Sequence, residues 1–220
     1  MEVSKKTAIV LGATGLTGGE LVALLLSDSR YSVIKLFSRS SLKIENPKIQ
    51  EYLGDMLQLN SFVSEFTGDE VFCCIGTTKS KTPNKKVYRD IDYGIPVCAA
   101  ELSQRNKIKT FIVISALGAN VRSNIFYNRT KGEMEDAILA LRLPKTHILQ
   151  PSLIAGKRKE KRIGEWVFKQ LMRFANLVLV GPLEKYRSIG PDTIAKSMVW
   201  LANHEYEEPR IKSDEIKKLA

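Results

Sequence analysis

At 220 residues the chain is long enough for one well-buried domain, and 44% hydrophobic with 26% charged residues is an ordinary globular balance. No apolar run reaches the ~18–20 residues of a membrane span, and the opening Met1-Glu2-Val3-Ser4-Lys5-Lys6 lacks a signal-peptide core, so a cytoplasmic protein is expected. The formal net charge of +10 invites anionic partners, nucleic acid among them, although solvated lysines give the same sum.

Thr7 to Gly12 is a short β-rich run ending at glycine, as buried parallel strands do. An apolar helix is expected from Leu16 to Leu26, closed by the polar Ser27-Asp28-Ser29-Arg30. Ser32 to Phe37 reads as the second strand and Ile49 to Leu53 as the third, followed by Gly54-Asp55. Leu57 to Phe66 reads as a helix and Glu70 to Ile75 as the fourth strand. A lysine-rich polar loop, Gly76 to Lys86, leads into a long helix from Val87 to Asn106, which Pro96 restricts or kinks. Phe111 to Ile114, Tyr127 to Leu141 and Thr146 to Leu149 supply the fifth strand, a helix and the sixth strand.

This alternation predicts an α/β fold, a Rossmann-type doubly wound parallel sheet, with strand order 3-2-1-4-5-6. After Pro151 the alternation weakens. Gly156 to Arg162 is basic, Gly164 to Ala175 reads as a helix, and Leu177 to Val180 as a short strand. Asp192 to Asn203 is an amphipathic helix introduced by Gly190-Pro191. Glu205 to Ala220 is charged, a frayed end or surface helix. The expectation is a single domain over residues 1–220, with 151–220 as its substrate side.

Cys73, Cys74 and Cys98 sit in apolar segments, and neighbours on a strand face opposite ways, so small buried hydrophobes are expected rather than a disulfide. His147 and His204 have no plausible ligand nearby in sequence, and no metal site is expected. The basic run Lys157-Arg158-Lys159-Glu160-Lys161-Arg162 has no interleaved aromatics for base stacking. It reads as a solvated loop, and nucleic acid is not an expected partner.

The turn Gly12-Ala13-Thr14-Gly15-Leu16-Thr17-Gly18 follows a strand and opens a helix, the context that a dinucleotide-binding turn requires. The first glycine permits the tight turn, Gly15 lets backbone approach the pyrophosphate, and Gly18 lets the helix sit close to the sheet. The second strand ends at Phe37-Ser38-Arg39-Ser40 without the acid that would hold the NAD ribose. A guanidinium at Arg39, helped by hydroxyls of Ser38 and Ser40, suits a 2′-phosphate, so NADP(H) is favoured over NAD(H). Asp55, followed by Met56, can accept from the adenine amino group or cap the next helix; both readings stand.

Ser115 ends the fifth strand at the carboxyl edge, where open α/β sheets bind ligands. Tyr127 and Lys131, four apart at a helix start, face one way. The ammonium is expected to lower the tyrosine pKa towards working pH and to hold the nicotinamide ribose, with Ser115 holding a substrate carbonyl oxygen.

Phe72-Cys73-Cys74-Ile75-Gly76-Thr77-Thr78, Ser115 to Ala119, Tyr127 to Glu133 and Gln150-Pro151-Ser152 resemble the HIV Tat-interacting oxidoreductase family of atypical short-chain dehydrogenase/reductases. The resemblance implies a Ser-Tyr-Lys triad, Gly76 and Thr77 lining the dinucleotide, and Pro151 against the nicotinamide. It implies hydride transfer between NADPH and a small carbonyl or alcohol, or an NADPH-binding regulatory protein with little turnover. Two departures stand out. Gln150-Pro151-Ser152 replaces the usual Arg-Pro-Gly, and the helix asparagine of the broader family has either Asp92 or nothing in its place.

Overall fold

Strands whose residues are apolar on both faces can be covered only by helices on both sides, and that is how the chain folds. The computed structural model describes residues 5–155 and 185–220. Seven parallel strands form one sheet: β1 (Lys6–Leu11), β2 (Tyr31–Ser38), β3 (Ile49–Leu53), β4 (Glu70–Cys73), β5 (Thr110–Ile114), β6 (Lys145–Gln150) and β7 (Arg210–Lys212). Their order is β3-β2-β1-β4-β5-β6-β7, the expected order with one strand added at the far edge. Within β1, Ala8 and Val10 face one core while Ile9 and Leu11 face the other, all four fully buried. The first core is closed by α1 (Leu16–Ser27) and by a later helix, Pro191–Asn203.

The second core is closed by a 3-10 helix at Met56–Phe62, by α3 (Ile95–Arg105) and by α4 (Phe126–Ala140), with the five-residue α2 (Lys85–Arg89) ahead of them. The Pro191–Asn203 helix, here α5, is followed by α6 (Ser213–Lys218). Leu11, Cys73 and Val113 are in register across β1, β4 and β5. The segments that follow them, beginning at Gly12, Cys74 and Ile114, therefore emerge together on the carboxyl edge.

Three expectations change. The helix at 57–66 is a 3-10 turn over Met56–Phe62, because Gln58 leaves helical geometry at φ −107, ψ 31. The bend placed at Pro96 begins earlier, in a π turn at Asp90–Gly94, where the Ile95 amide reaches back to the Asp90 carbonyl. Pro96 has no amide for the carbonyl of Asp92, and a widened turn just upstream accommodates that loss. The C-terminal stretch is neither frayed nor confined to the surface. It supplies β7, whose Ile211 is buried beside Leu149 in β6, and α6, whose Ile216 is fully buried. The basic stretch expected at 156–162, the helix at 164–175 and the strand at 177–180 lie outside the described residues.

Beyond Pro151 the chain pairs with its own return: Ile154 bridges Ile189, and the Ala155 amide donates to the Ile189 carbonyl at 2.8 Å.

Candidate active site

The glycine turn is held from within. The Gly15 amide donates to the Gly12 carbonyl at 3.0 Å, which closes the turn tightly. Gly12 has φ +81, a left-handed value that favours glycine, and a Cβ there would stand 2.8 Å from the carbonyl of Cys74. A Cβ at Gly18 would collide with the Gly12 carbonyl oxygen and lie 2.8 Å from its carbon. Helix α1 therefore starts flush against the strand end.

At that start Gly15 is the N-cap with no side-chain cap bond, and the first turn carries no acid. The Leu16, Thr17 and Gly18 amides precede the first intrahelical bond and point out of the helix end. Three such donors and a positive dipole end suit a pyrophosphate. The residues present fit a dinucleotide. Ala13 and Thr17 are buried, whereas Thr14 and Gly15 are exposed along the approach.

At the end of β2, Arg39 and Ser40 are exposed, and Arg39 has neither ion pair nor hydrogen bond among the described residues. Ser38 is a correction: its hydroxyl is buried and donates to the Ser40 carbonyl at 2.8 Å, so it faces inward rather than offering a donor. Of the two readings left open at Asp55, the structure shows the cap. Its carboxylate accepts from the Leu57 amide at 3.0 Å, and Met56 is buried behind it.

Across the sheet a buried charge cluster forms. Lys131 Nζ lies 3.0 Å from Asp92 Oδ1, with the two side chains 4% and 1% exposed. Asp92 Oδ2 accepts from the Thr77 amide at 2.8 Å. A Cβ on Gly76 would be 3.5 Å from Asp92 and 3.9 Å from Lys131 Nζ, so the Gly76-Thr77 loop lies directly over the pair. Asp92 is thus the carboxylate that pairs with Lys131 and holds the Thr77 amide. Tyr127 stands one turn before Lys131 and is 38% exposed, its ring edge-on to Tyr88 at 6.4 Å.

The expected lowering of the Tyr127 pKa is also corrected. Burial pushes the phenol up, Lys131 pulls it down, Asp92 pushes it up again, and the net direction is upward from 10.0. Burial works against the Lys131 ammonium, but attraction to Asp92 and Tyr127 outweighs it and the net direction is upward. The tyrosine therefore holds its proton near neutral pH.

Ser115 departs most from its expected role. It is 4% exposed and donates to Glu135 Oε1, at 2.5 Å, the hydroxyl hydrogen that was expected to hold a substrate carbonyl oxygen. Glu135 also accepts from Gln150 and Arg210, residues that sequence reasoning assigned no role at the site. The available signal was a third step of four along α4, Tyr127 to Lys131 to Glu135. Pro151 is buried at the same edge, its carbonyl accepting from the Leu117 amide at 2.9 Å. Cys73 is buried beneath the cluster with its thiol pushed up to about 11 by burial, the environment of an inert core cysteine.

Residues 12–163 match the family described as NAD(P)H-binding. The chain is 30% identical over 203 residues to the protein FMP52, mitochondrial, of Debaryomyces hansenii, covering 90% of this chain and 88% of that one. It is 30% identical over 174 residues to the protein HTATIP2 of Rattus norvegicus, covering 77% and 71% respectively. Among solved structures it resembles the UDP-glucose 4-epimerase of Thermotoga maritima, crystallised with UDP-glucose, at TM-score 0.70 and 11% identity, over 96% of this chain and 80% of that one. The last likeness speaks to fold alone. No helix among the described residues is long and apolar enough to cross a membrane.

Proposed function

The chain belongs to the NAD(P)H-binding family, with HTATIP2 and FMP52 among its relatives, and from that premise we propose that it is an NADP(H)-dependent oxidoreductase acting on a small carbonyl or alcohol. The observation that carries the reading is the Tyr127–Lys131–Asp92 cluster lying against the Gly76-Thr77 loop, on the same sheet edge as the glycine turn. A phosphate cradle and a proton donor on one edge suit hydride transfer better than simple storage of a nucleotide.

The Leu16, Thr17 and Gly18 amides would hold the pyrophosphate, and Arg39 would pair with the 2′-phosphate. The exposed guanidinium, unpaired among the described residues, and the lack of an acid at the strand end support NADP(H) over NAD(H). NADPH bound there supplies the hydride. Tyr127 holds a proton on its phenol and delivers it to the oxygen that gains charge as a carbonyl is reduced. Lys131 is neutralised by Asp92 at 3.0 Å, so it orients the site without forcing the phenol to ionise. The substrate-facing surface would come from Pro151 and the residues after it.

Titration of NADPH and NADH by fluorescence tests the cofactor. Binding of NADPH about tenfold or more tighter than NADH is expected, as a charged hydrogen-bonding pair provides, and equal affinities would sink the preference. Oxidation of NADPH with a panel of aldehydes and ketones tests the reaction. Tight binding with no turnover on any member would leave the regulatory reading instead.

A further inference from the structure

Glu135 is a charged residue in the middle of a helix, yet it is 1% exposed. Tyr127, Lys131 and Glu135 recur every four residues, so α4 presents them as one stripe towards the sheet. Four elements meet at the carboxylate. Ser115, just past β5, donates to Oε1 at 2.5 Å, and Gln150 Nε2 at the end of β6 donates to both oxygens at 3.0 Å. Arg210 Nε in β7 donates to Oε2 at 2.8 Å and continues through its Nη2 to Asp136 at 2.6 Å.

An ionised carboxylate only accepts, which sets the direction of every bond around it. The one hydrogen of Ser115 is committed to Glu135, and what the serine has left to offer is lone pairs. A hydrogen bond to a charged acceptor is roughly twice as strong as one to a neutral acceptor. A neutral substrate carbonyl therefore competes poorly for that hydrogen. Arg210 pairs with the carboxylate at 2.8 Å, and both Gln150 and Arg210 are already turned towards it.

Resting on the oxidoreductase reading, we propose that Glu135 is a positioning residue that makes Ser115 a hydrogen-bond acceptor, so that Ser115 takes a hydroxyl of the ligand and Tyr127 is the side chain that donates to the reacting oxygen. The ligand class follows from this polarity. It carries a hydroxyl donor, either as the alcohol form at the reacting carbon or on the carbon beside the carbonyl. A plain ketone offers Ser115 no such donor.

The test uses a matched pair, acetophenone and 2-hydroxyacetophenone, with the full-length protein and NADPH. Wild type is expected to show a lower KM for the hydroxylated member. Glu135→Gln is close to isosteric, and Gln150 and Arg210 both need an acceptor, so the new amide turns its oxygen to them and its N–H to Ser115. That frees the serine hydrogen for a carbonyl. The KM ratio of the pair is expected to move about tenfold towards the plain ketone, with NADPH affinity within about twofold of wild type. Ser115→Ala serves if Glu135→Gln fails to fold: it is expected to erase the preference while lowering turnover of the plain ketone by less than about tenfold. The proposal is overturned if Ser115→Ala lowers plain-ketone turnover by the hundredfold or more typical of a lost donor to a reacting oxygen, or if Glu135→Gln slows both members alike. Displacement measurements on the NADPH complex with the same pair read the preference without turnover. A protein that discriminates but does not react keeps this inference and loses the reductase reading.

Discussion

Lys131 and Asp92 meet at 3.0 Å inside the protein, one from α4 and one from the π turn at Asp90–Gly94, and neither side chain has more than 4% exposure. Pairs of this kind are costly to break from one side, because the survivor is left charged in a poor solvent. Asp92→Leu or Lys131→Met alone is expected to lower unfolding free energy by about 3–5 kcal/mol, and the double variant to recover most of the loss. Urea denaturation of the four proteins measures the coupling. Simple additivity would show that the pair is not a unit.

The proton on Tyr127 sets the pH behaviour of reduction. Its pKa lies above 10.0, with burial the largest cause, so the phenol is protonated throughout the neutral range and its donor form is lost only as pH rises through that raised value. Reduction is expected to show no basic limb from this group below about pH 10. Tyr127→Phe is expected to abolish turnover with NADPH affinity intact. A wild-type rate that halves near pH 7.5, together with loss of turnover in the Phe variant, would assign the phenol a lowered pKa.

Much of this was legible along the chain because the local signal and the tertiary role coincide. Ala8 to Leu11 and Phe111 to Ile114 are apolar on both faces, and they lie in the middle of a sheet covered on both sides. Gly12 and Gly18 could be read from spacing because backbone contacts, not distant side chains, require them. What was missed depends on partners far away in sequence. Arg210–Lys212 is too short to show a period, and β7 exists only through its pairing with Ile148 to Gln150. Glu135 looks like a solvated helix charge until Arg210 closes on it. The Lys131 effect on Tyr127 was visible at a spacing of four, whereas the Asp92 charge that offsets it arrives from another element.

The approach of α1 to β1 makes Gly18 sensitive to one methyl group. A Cβ at that position has rigid backbone ahead of it, the Gly12 carbonyl and the Ala13 Cα at 2.9 Å, and no flexible side chain to yield. Gly18→Ala is expected to cost about 1–3 kcal/mol by overpacking and to spread the turn enough to remove NADPH binding. Thermal unfolding with and without NADPH reads both effects. A variant that binds normally would mean the helix can slide away from the strand.

Arg39 should matter for one cofactor and leave the other unchanged. It is exposed, so a pairing with phosphate is screened by solvent and salt. Arg39→Ala is expected to weaken NADPH binding by about tenfold, to leave NADH unchanged, and to lose the difference at high ionic strength. Parallel losses for both dinucleotides would move Arg39 from the 2′-phosphate to general electrostatics.

His147 gives the fold an acid limit of its own. It is 2% exposed in β6, with Nδ1 3.2 Å from the Glu208 carbonyl oxygen, and its pKa is lowered from 6.5 chiefly by burial. Between the folded value and 6.5 the unfolded chain binds a proton that the folded chain refuses. Stability therefore falls as the solution is acidified from 6.5 to the folded value, and this group adds no further loss below it. His147→Phe keeps a ring against Tyr206, 6.0 Å away, and removes the titrating group. The variant loses a hydrogen bond to the Glu208 carbonyl, worth about 1 kcal/mol, at every pH. Its stability is nonetheless expected to decline less steeply than wild type between pH 6.5 and 5, as measured by urea midpoints at a series of pH values. Equal slopes in the two proteins would assign the acid loss to other groups.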